Sequence, residues 1–218
     1  MAFIVFEGGE GVGKTTQIEL LYKAIQKTGK PCTLTREPGG TPLAEQIRSL
    51  FKQVDPKIEA PTPLTELLLV SASRAQHIEN VILPKLKEDH IILCDRFLDS
   101  TYVYQSILGK LPKKTIDSVS DILLEGLLPQ LTFILTIDTD IALQRIAKEN
   151  KRTLDRMDSQ QKQIHQTIKE GYTKIYQEQY AYPNGKVPKR ILLDANQNQE
   201  DLHFQIKTVI AEQLGLYL

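Results

Sequence analysis

Residues 8–15 read Gly-Gly-Glu-Gly-Val-Gly-Lys-Thr, so Gly8, Gly13, Lys14 and Thr15 fill the fixed positions of the pattern G-x-x-x-x-G-K-[ST]. The residue types suit one task, the cradling of a nucleoside triphosphate. Such a ligand needs a concave ring of backbone N–H groups, and side chains at the closest approaches would block it. Gly8, Gly9, Glu10, Gly11, Val12, Gly13, Lys14, Thr15 and Thr16 are the candidate cradle. Lys14 adds a point charge for the β- and γ-phosphates, and the Thr15 hydroxyl can hold Mg²⁺. Asp95 closes the apolar run Ile91-Ile92-Leu93-Cys94. An Asp at a strand end is common by itself. Downstream of a phosphate loop it points to a second contact for Mg²⁺ or to a group that orients a nucleophile. Arg96 follows at once and can clamp an anionic acceptor bidentately; the competing reading is a surface ion pair.

Three further clusters carry charge. Arg36 sits in Thr35-Arg36-Glu37-Pro38-Gly39-Gly40-Thr41, where proline stiffens the chain and the glycine pair turns it close to a ligand. Arg74 lies in Ser71-Ala72-Ser73-Arg74-Ala75-Gln76, just after the apolar residues 67–70. A buried arginine there needs a partner, and spacing leaves this reading level with that of an ordinary helix-surface arginine. Lys148, Lys151, Arg152 and Arg156 surround Leu154-Asp155. That run reads either as a solvated basic segment or as a flap that brings arginines onto phosphates. The histidines at 77, 90, 165 and 203 have no metal-ligand spacing and read as structural or exposed.

Five short β-like runs position these residues: 3–6, 32–35, 90–94, 132–137 and 190–193. Most are continuously apolar, as expected of strands covered on both faces. Helices are expected after Lys14 to near Gly29, and from Thr41-Pro42 with Leu43, Ile47 and Leu50 on the inner face. Another should run from Thr62-Pro63 to about Val81, with Pro84 kinking or restarting it. Further helices are expected near 113–127, 140–149, 158–180 and 200–214. Residues 54–63, with three prolines, read as a surface loop. Strands alternating with helices imply an α/β fold with a parallel sheet, whose ligands bind at the carboxyl ends of strands.

The 218 residues suffice for a single domain, and 27 basic against 27 acidic residues argue against nucleic-acid or polybasic membrane partners. Cys32 and Cys94 read as buried thiols rather than a disulfide framework. No apolar run approaches the ~20 residues that span a bilayer. The start of the chain enters a strand with no leader pattern, so a soluble cytoplasmic protein is expected.

Taken together, the clusters resemble the thymidylate kinase family, whose members transfer phosphate from ATP to dTMP. Thr35 to Thr41, TREPGGT, looks like the bacterial signature of that family. Asp95-Arg96-Phe97-Leu98-Asp99-Ser100 is similar to its D-R-[YFH]-x-x-S, and Tyr104-Gln105 to its Y-Q pair. Ser71 to Arg74 falls where the family carries its helix arginine, and Leu154-Asp155-Arg156 matches its lid.

The resemblance implies a P-loop nucleoside-monophosphate-kinase fold: a five-stranded parallel sheet flanked by helices, one domain over 1–218 with a short lid about 148–158, usually a homodimer. It implies that Lys14 and Thr15 bind the ATP phosphates and Mg²⁺. Arg96 and Arg36 approach the dTMP phosphate. Arg74 and Gln105 hydrogen-bond thymine, with Thr101 beside them and Arg48 nearby. Tyr104 packs under the deoxyribose, and Glu10 approaches the 3′-hydroxyl or a metal-bound water. Some members carry a catalytic arginine in the phosphate loop. This loop has none, so Arg156, with Arg152 or Lys151, should supply that charge from the lid.

The chain departs from the family pattern at Val70, where a base-stacking Phe is common, and at Ser106-Ile107-Leu108-Gly109, where Gly-rich sequence often follows. The rival readings are another nucleotide or deoxynucleoside kinase, against which TREPGGT argues, and a P-loop switch ATPase. The guanine motif N-K-x-D fails at Asn150-Lys151-Arg152-Thr153, and the loop lacks the early lysine of partitioning ATPases.

Overall fold

A computed structural model describes residues 1–52, 57, 59–148 and 162–218. The apolar runs form β1 (Ala2–Glu7), β2 (Cys32–Arg36), β3 (Ile91–Asp95), β4 (Leu131–Thr136) and β5 (Arg190–Asp194), all parallel, in the order β2-β3-β1-β4-β5. Alternation along the central strand feeds both faces. Phe3 and Val5 pack with Leu67, Phe97, Tyr102 and Tyr172, whereas Ile4 and Phe6 pack with Leu21, Ile25, Ile206 and Ile210. This is why the strands read as apolar throughout. Register then builds the site: Phe6 and Arg36 both pair with Asp95, so β1, β2 and β3 end together and their following loops converge.

The helices are α1 (Lys14–Lys27), α2 (Pro42–Lys52), α3 (Pro63–His77), α4 (Leu83–Lys87), α5 (Leu98–Thr101), α6 (Lys113–Leu124), α7 (Thr139–Lys148), α8 (Lys162–Gln177) and α9 (Gln199–Leu214). The expected caps are present: Thr41 Oγ1 accepts from Ala44 N at 3.1 Å and Thr62 Oγ1 from Thr65 N at 3.2 Å. A π-helical turn, Ile78–Ile82, joins α3 to α4 just before Pro84. Widening the helix there accommodates a residue that cannot donate a backbone hydrogen bond. A second π-helical stretch, Tyr102–Leu108, continues α5. Neither α5 nor this stretch was expected from the pattern. The helix expected over 113–127 stops at Leu124, where Glu125 turns to φ 44° and Gly126 to 84°.

Two expectations need correction. Leu43 and Leu50 are 50% and 63% exposed, and α2 instead buries Ala44 and Phe51. The inward side of α2 packs on α3 and carries half-buried Arg48, so Leu43 and Leu50 face out, while Ile47 is half-buried. Cys94 is buried, but Cys32 is only half-buried on the edge strand, its thiol pushed up to about 12 by burial. Among the described residues no helix is long and apolar enough to cross a membrane.

Candidate active site

The loop after β1 and the first turn of α1 form a polar trough. Gly8 holds φ 139°, and a Cβ there would lie 2.4 Å from the Leu135 carbonyl oxygen, so only glycine fits. Glu10, Gly11, Gly13, Lys14, Thr15 and Thr16 line the trough, while Gly9 and Val12 line a small cavity behind the loop with Ile137 and Tyr172. Lys14 is 6% exposed and donates from Nζ to Gly8 O at 3.1 Å and Gly9 O at 2.9 Å. Burial, and then Arg96, lower its pKa, while Asp95, Glu10 and Glu7 pull the other way.

Asp95 Oδ1 is 3.9 Å from Lys14 Nζ and is buried with no hydrogen-bond partner among the described residues. Such a carboxylate oxygen, on a residue that lines the same trough as exposed Thr15, fits a hard cation with oxygen ligands. Among the described residues no cluster of three or more His, Cys, Asp or Glu offers another metal site.

A second cavity, of about 620 Å³ including its open mouth, adjoins the trough. Phe51, Val70, Phe97 and Tyr104 give it apolar walls, and Arg74, Thr101 and Gln105 give it polar ones. Glu10, Glu37, Arg48, Lys52 and Arg96 line both cavities, so trough and pocket are two ends of one cleft. Arg96 stands at the junction with φ 72°. Its Nη1 donates to Gly8 O and Tyr172 Oη at 2.9 Å, its Nη2 donates to Glu10 Oε1 at 2.8 Å, and its guanidinium lies 5.2 Å from the Tyr104 ring centre.

Glu7 secures that turn from beneath. Its Oε1 accepts from Phe97 N at 2.7 Å and Ser100 N at 3.2 Å, and its Oε2 from Ser100 Oγ at 2.6 Å and Tyr172 Oη at 3.1 Å. Burial, and then Asp99, raise its carboxyl pKa to about 7.

Arg74 is not a surface residue. It is 2% exposed, and Nε donates to Glu37 Oε2 at 2.6 Å and Nη2 to Thr101 Oγ1 at 3.0 Å. Gln105 is buried and donates Nε2 to Glu66 Oε2 at 3.3 Å. Arg48 Nη1 donates to Pro38 O at 2.7 Å, and Val70 is 8% exposed on the pocket wall. Arg36 lines the trough with a half-exposed side chain that binds Glu45 through Nε and Nη2 at 3.2 and 2.9 Å. Lys151, Arg152 and Arg156, and with them most of the expected lid, lie outside the described residues. Sequence reasoning assigned no role to Glu7, Glu37, Phe51, His77, Tyr172 or Arg145. Arg145 Nη1 reaches Gly11 O at 3.5 Å and Nη2 reaches Ala195 O at 3.3 Å, tying the loop to the end of β5.

The geometry agrees with what the chain is similar to. The family model described as thymidylate kinase matches residues 6–206. The chain belongs to the thymidylate kinase family. A thymidylate kinase of Halalkalibacterium halodurans is 37% identical over 214 residues, 98% of each chain. One from Dehalococcoides mccartyi is 40% identical over 214 residues, 98% of this chain and 97% of that protein. The crystal structure of thymidylate kinase from Ehrlichia chaffeensis superposes with a TM-score of 0.72 at 27% identity, covering 96% of this chain and 98% of that one. The shared fold is the P-loop arrangement of a five-stranded parallel sheet between helices.

Proposed function

We propose that this chain phosphorylates dTMP to dTDP with ATP as donor, using the trough for the triphosphate and the adjoining pocket for the nucleoside monophosphate. The observation that carries this reading is the shared wall of the cleft, where Arg96 faces both compartments. Lys14 and the backbone N–H groups of the loop hold the donor phosphates. Thr15 and Asp95 are the residues that would hold Mg²⁺, which neutralises charge on the β- and γ-phosphates. Arg96, with Arg36 and Arg48 at hand, orients the acceptor phosphate. Its oxygen is already anionic and attacks the γ-phosphorus without a strong general base; the bond to the β-bridging oxygen breaks, and ADP leaves. Catalysis is then mostly alignment and charge neutralisation.

Arg74, Thr101 and Gln105 supply polar contacts for the base, Phe51, Val70 and Phe97 its apolar surroundings, and Tyr104 the sugar face. Glu10, bound to Arg96, is placed for the sugar hydroxyl. Arg152 and Arg156 of the lid segment complete the charge around the transferred group and help exclude water. The residues act as one domain, and a cytoplasmic setting suits substrates of this kind. A homodimer is supported by the outward row of Leu43 and Leu50 on α2 and Leu64 and Leu68 on α3, all 48–63% exposed. A second copy would cover that face. ADP release measured with dTMP, dUMP, dAMP, dGMP, dCMP and thymidine tests the proposal. Turnover should be fastest with dTMP and negligible with thymidine, which lacks the accepting phosphate. Preference for thymidine or a purine nucleotide would refute it.

A further inference from the structure

A row of polar side chains runs back from the cleft wall: Arg74 and Glu37 line the pocket, Glu37 lines the trough as well, and buried His77 and half-buried Thr35 stand behind them. Thr35 Oγ1 is 2.6 Å from His77 Nε2, His77 Nδ1 is 3.0 Å from Glu37 Oε1, and Arg74 Nε donates to Glu37 Oε2 at 2.6 Å. Glu37 and His77 are 3% and 0% exposed. A carboxylate can only accept, so Nδ1 carries the ring proton, and in the neutral ring Nε2 accepts from the Thr35 hydroxyl. Each oxygen of Glu37 is thereby committed, one to the imidazole and one to the guanidinium.

Stability is a poor reason for such an arrangement, because desolvating an ion pair costs about what its attraction returns. The guanidinium gives a better one. With Nε fixed by Glu37 and Nη2 by Thr101, Nη1 is left buried and without a hydrogen-bond partner among the described residues, on a side chain that lines the pocket. An unsatisfied donor on a buried cation is costly, and a ligand acceptor would satisfy it.

The second glycine of the Gly39-Gly40 pair serves the same row. A Cβ on Gly40 would lie 2.5 Å from His77 Cδ2 and 2.7 Å from Thr35 Oγ1. The glycine therefore lets the imidazole sit against the loop that carries Glu37.

We propose that Glu37, braced by His77, is a positioning residue for base recognition: it sets the plane of Arg74 so that Nη1 presents to a carbonyl oxygen of the pyrimidine. The inference rests on the reading of the pocket as the dTMP site with Arg74 on the base. It adds a role for two residues that need not touch the nucleotide.

Steady-state kinetics with dTMP and ATP, together with melting temperatures, test it across Arg74→Ala, Glu37→Gln, His77→Leu, His77→Asn and the Arg74→Ala/Glu37→Gln double variant. Glu37→Gln should raise the KM for dTMP about tenfold or more, on the scale of one charge-assisted contact. The KM for ATP and kcat should stay within about twofold, the spread of an unperturbed site. His77→Leu should behave similarly. His77→Asn, whose amide can still donate to Glu37, should recover most of the dTMP affinity. In the Arg74→Ala background Glu37→Gln should add nothing to KM, since the positioned group is gone. If Arg74→Ala raises the KM for dTMP but Glu37→Gln does not, the positioning role fails and the pocket reading stands. If Arg74→Ala leaves that KM unchanged, both fail. Additive effects in the double variant would overturn the inference in favour of an independent contact by Glu37. Should Glu37→Gln not fold, equal KM values for His77→Leu and His77→Asn would overturn it as well.

Discussion

Replacing Arg96 by alanine probes the junction of the two compartments. The Arg96 side chain is 13% exposed and its guanidinium already has partners: Glu10 at 2.8 Å, and Gly8 O and Tyr172 Oη at 2.9 Å. On the proposed reading, an arriving dTMP phosphate would share or displace Glu10, and the net gain would be smaller than for a free arginine. Charge-assisted hydrogen bonds contribute ~1.5–3 kcal/mol each. Two such bonds, less the partial loss of the Glu10 contact, leave ~2–4 kcal/mol, or a fall in dTMP affinity on the order of 30- to 1,000-fold. The contact to Gly8 O refines the expectation for the donor. Losing one hydrogen bond to the phosphate loop costs ~1 kcal/mol, about fivefold in ATP affinity. Calorimetric titration of dTMP and of a non-hydrolysable ATP analogue into wild type and Arg96→Ala reads both quantities, with melting temperature as a control for folding. A variant that binds dTMP within twofold of wild type but ATP poorly would refute the assignment of Arg96 to the acceptor.

Val70→Phe should lower the KM for dTMP without changing that for ATP, because a ring on a base is worth roughly 1–3 kcal/mol; a rise in KM or loss of activity would mean that Phe51 and Phe97 already fill the space. Glu7→Gln tests the buried carboxylate by urea unfolding across pH. Its folded pKa of about 7 lies above the ordinary 4.5, so Glu7 contributes most stability below 4.5 and loses that contribution as pH rises towards 7. The wild type should therefore lose stability relative to Glu7→Gln over that window, and parallel profiles would contradict the raised value. The Arg152→Ala/Arg156→Ala double variant should lower kcat by ~10³-fold, on the scale of arginine fingers, in quenched-flow assays; an unchanged kcat would remove the lid from catalysis.

The sheet and the phosphate loop were legible because local chemistry dictates them. Apolar runs covered on both faces and glycines that must approach a ligand leave marks in adjacent residues. What escaped depends on contacts between distant segments. Glu7 looks like the last residue of a strand, and only the fold shows it holding Phe97 N and Ser100 Oγ, some ninety residues on. Arg74 could be read either way until Glu37, 37 residues earlier, appeared at 2.6 Å. The buried Arg190–Asp99 pair, which ties β5 to α5, is equally nonlocal. The outward stripe of α2 misled for another reason. An amphipathic pattern states that one face is apolar, not that this face meets its own core. Pro84 did announce a disturbance in its helix, but no proline marks the π-helical stretch carrying Tyr104 and Gln105.

Transfer of label from γ-labelled ATP is the most direct test of the central claim that the trough and the pocket cooperate in phosphoryl transfer. The purified chain, Mg²⁺, labelled ATP and dTMP are mixed, and the products are separated over a single turnover. Label should pass to dTDP in proportion to the ADP formed, with little free phosphate, and Lys14→Ala should abolish both products while remaining folded. Label appearing as free phosphate at a rate indifferent to dTMP would contradict the claim, leaving an ATPase with no acceptor.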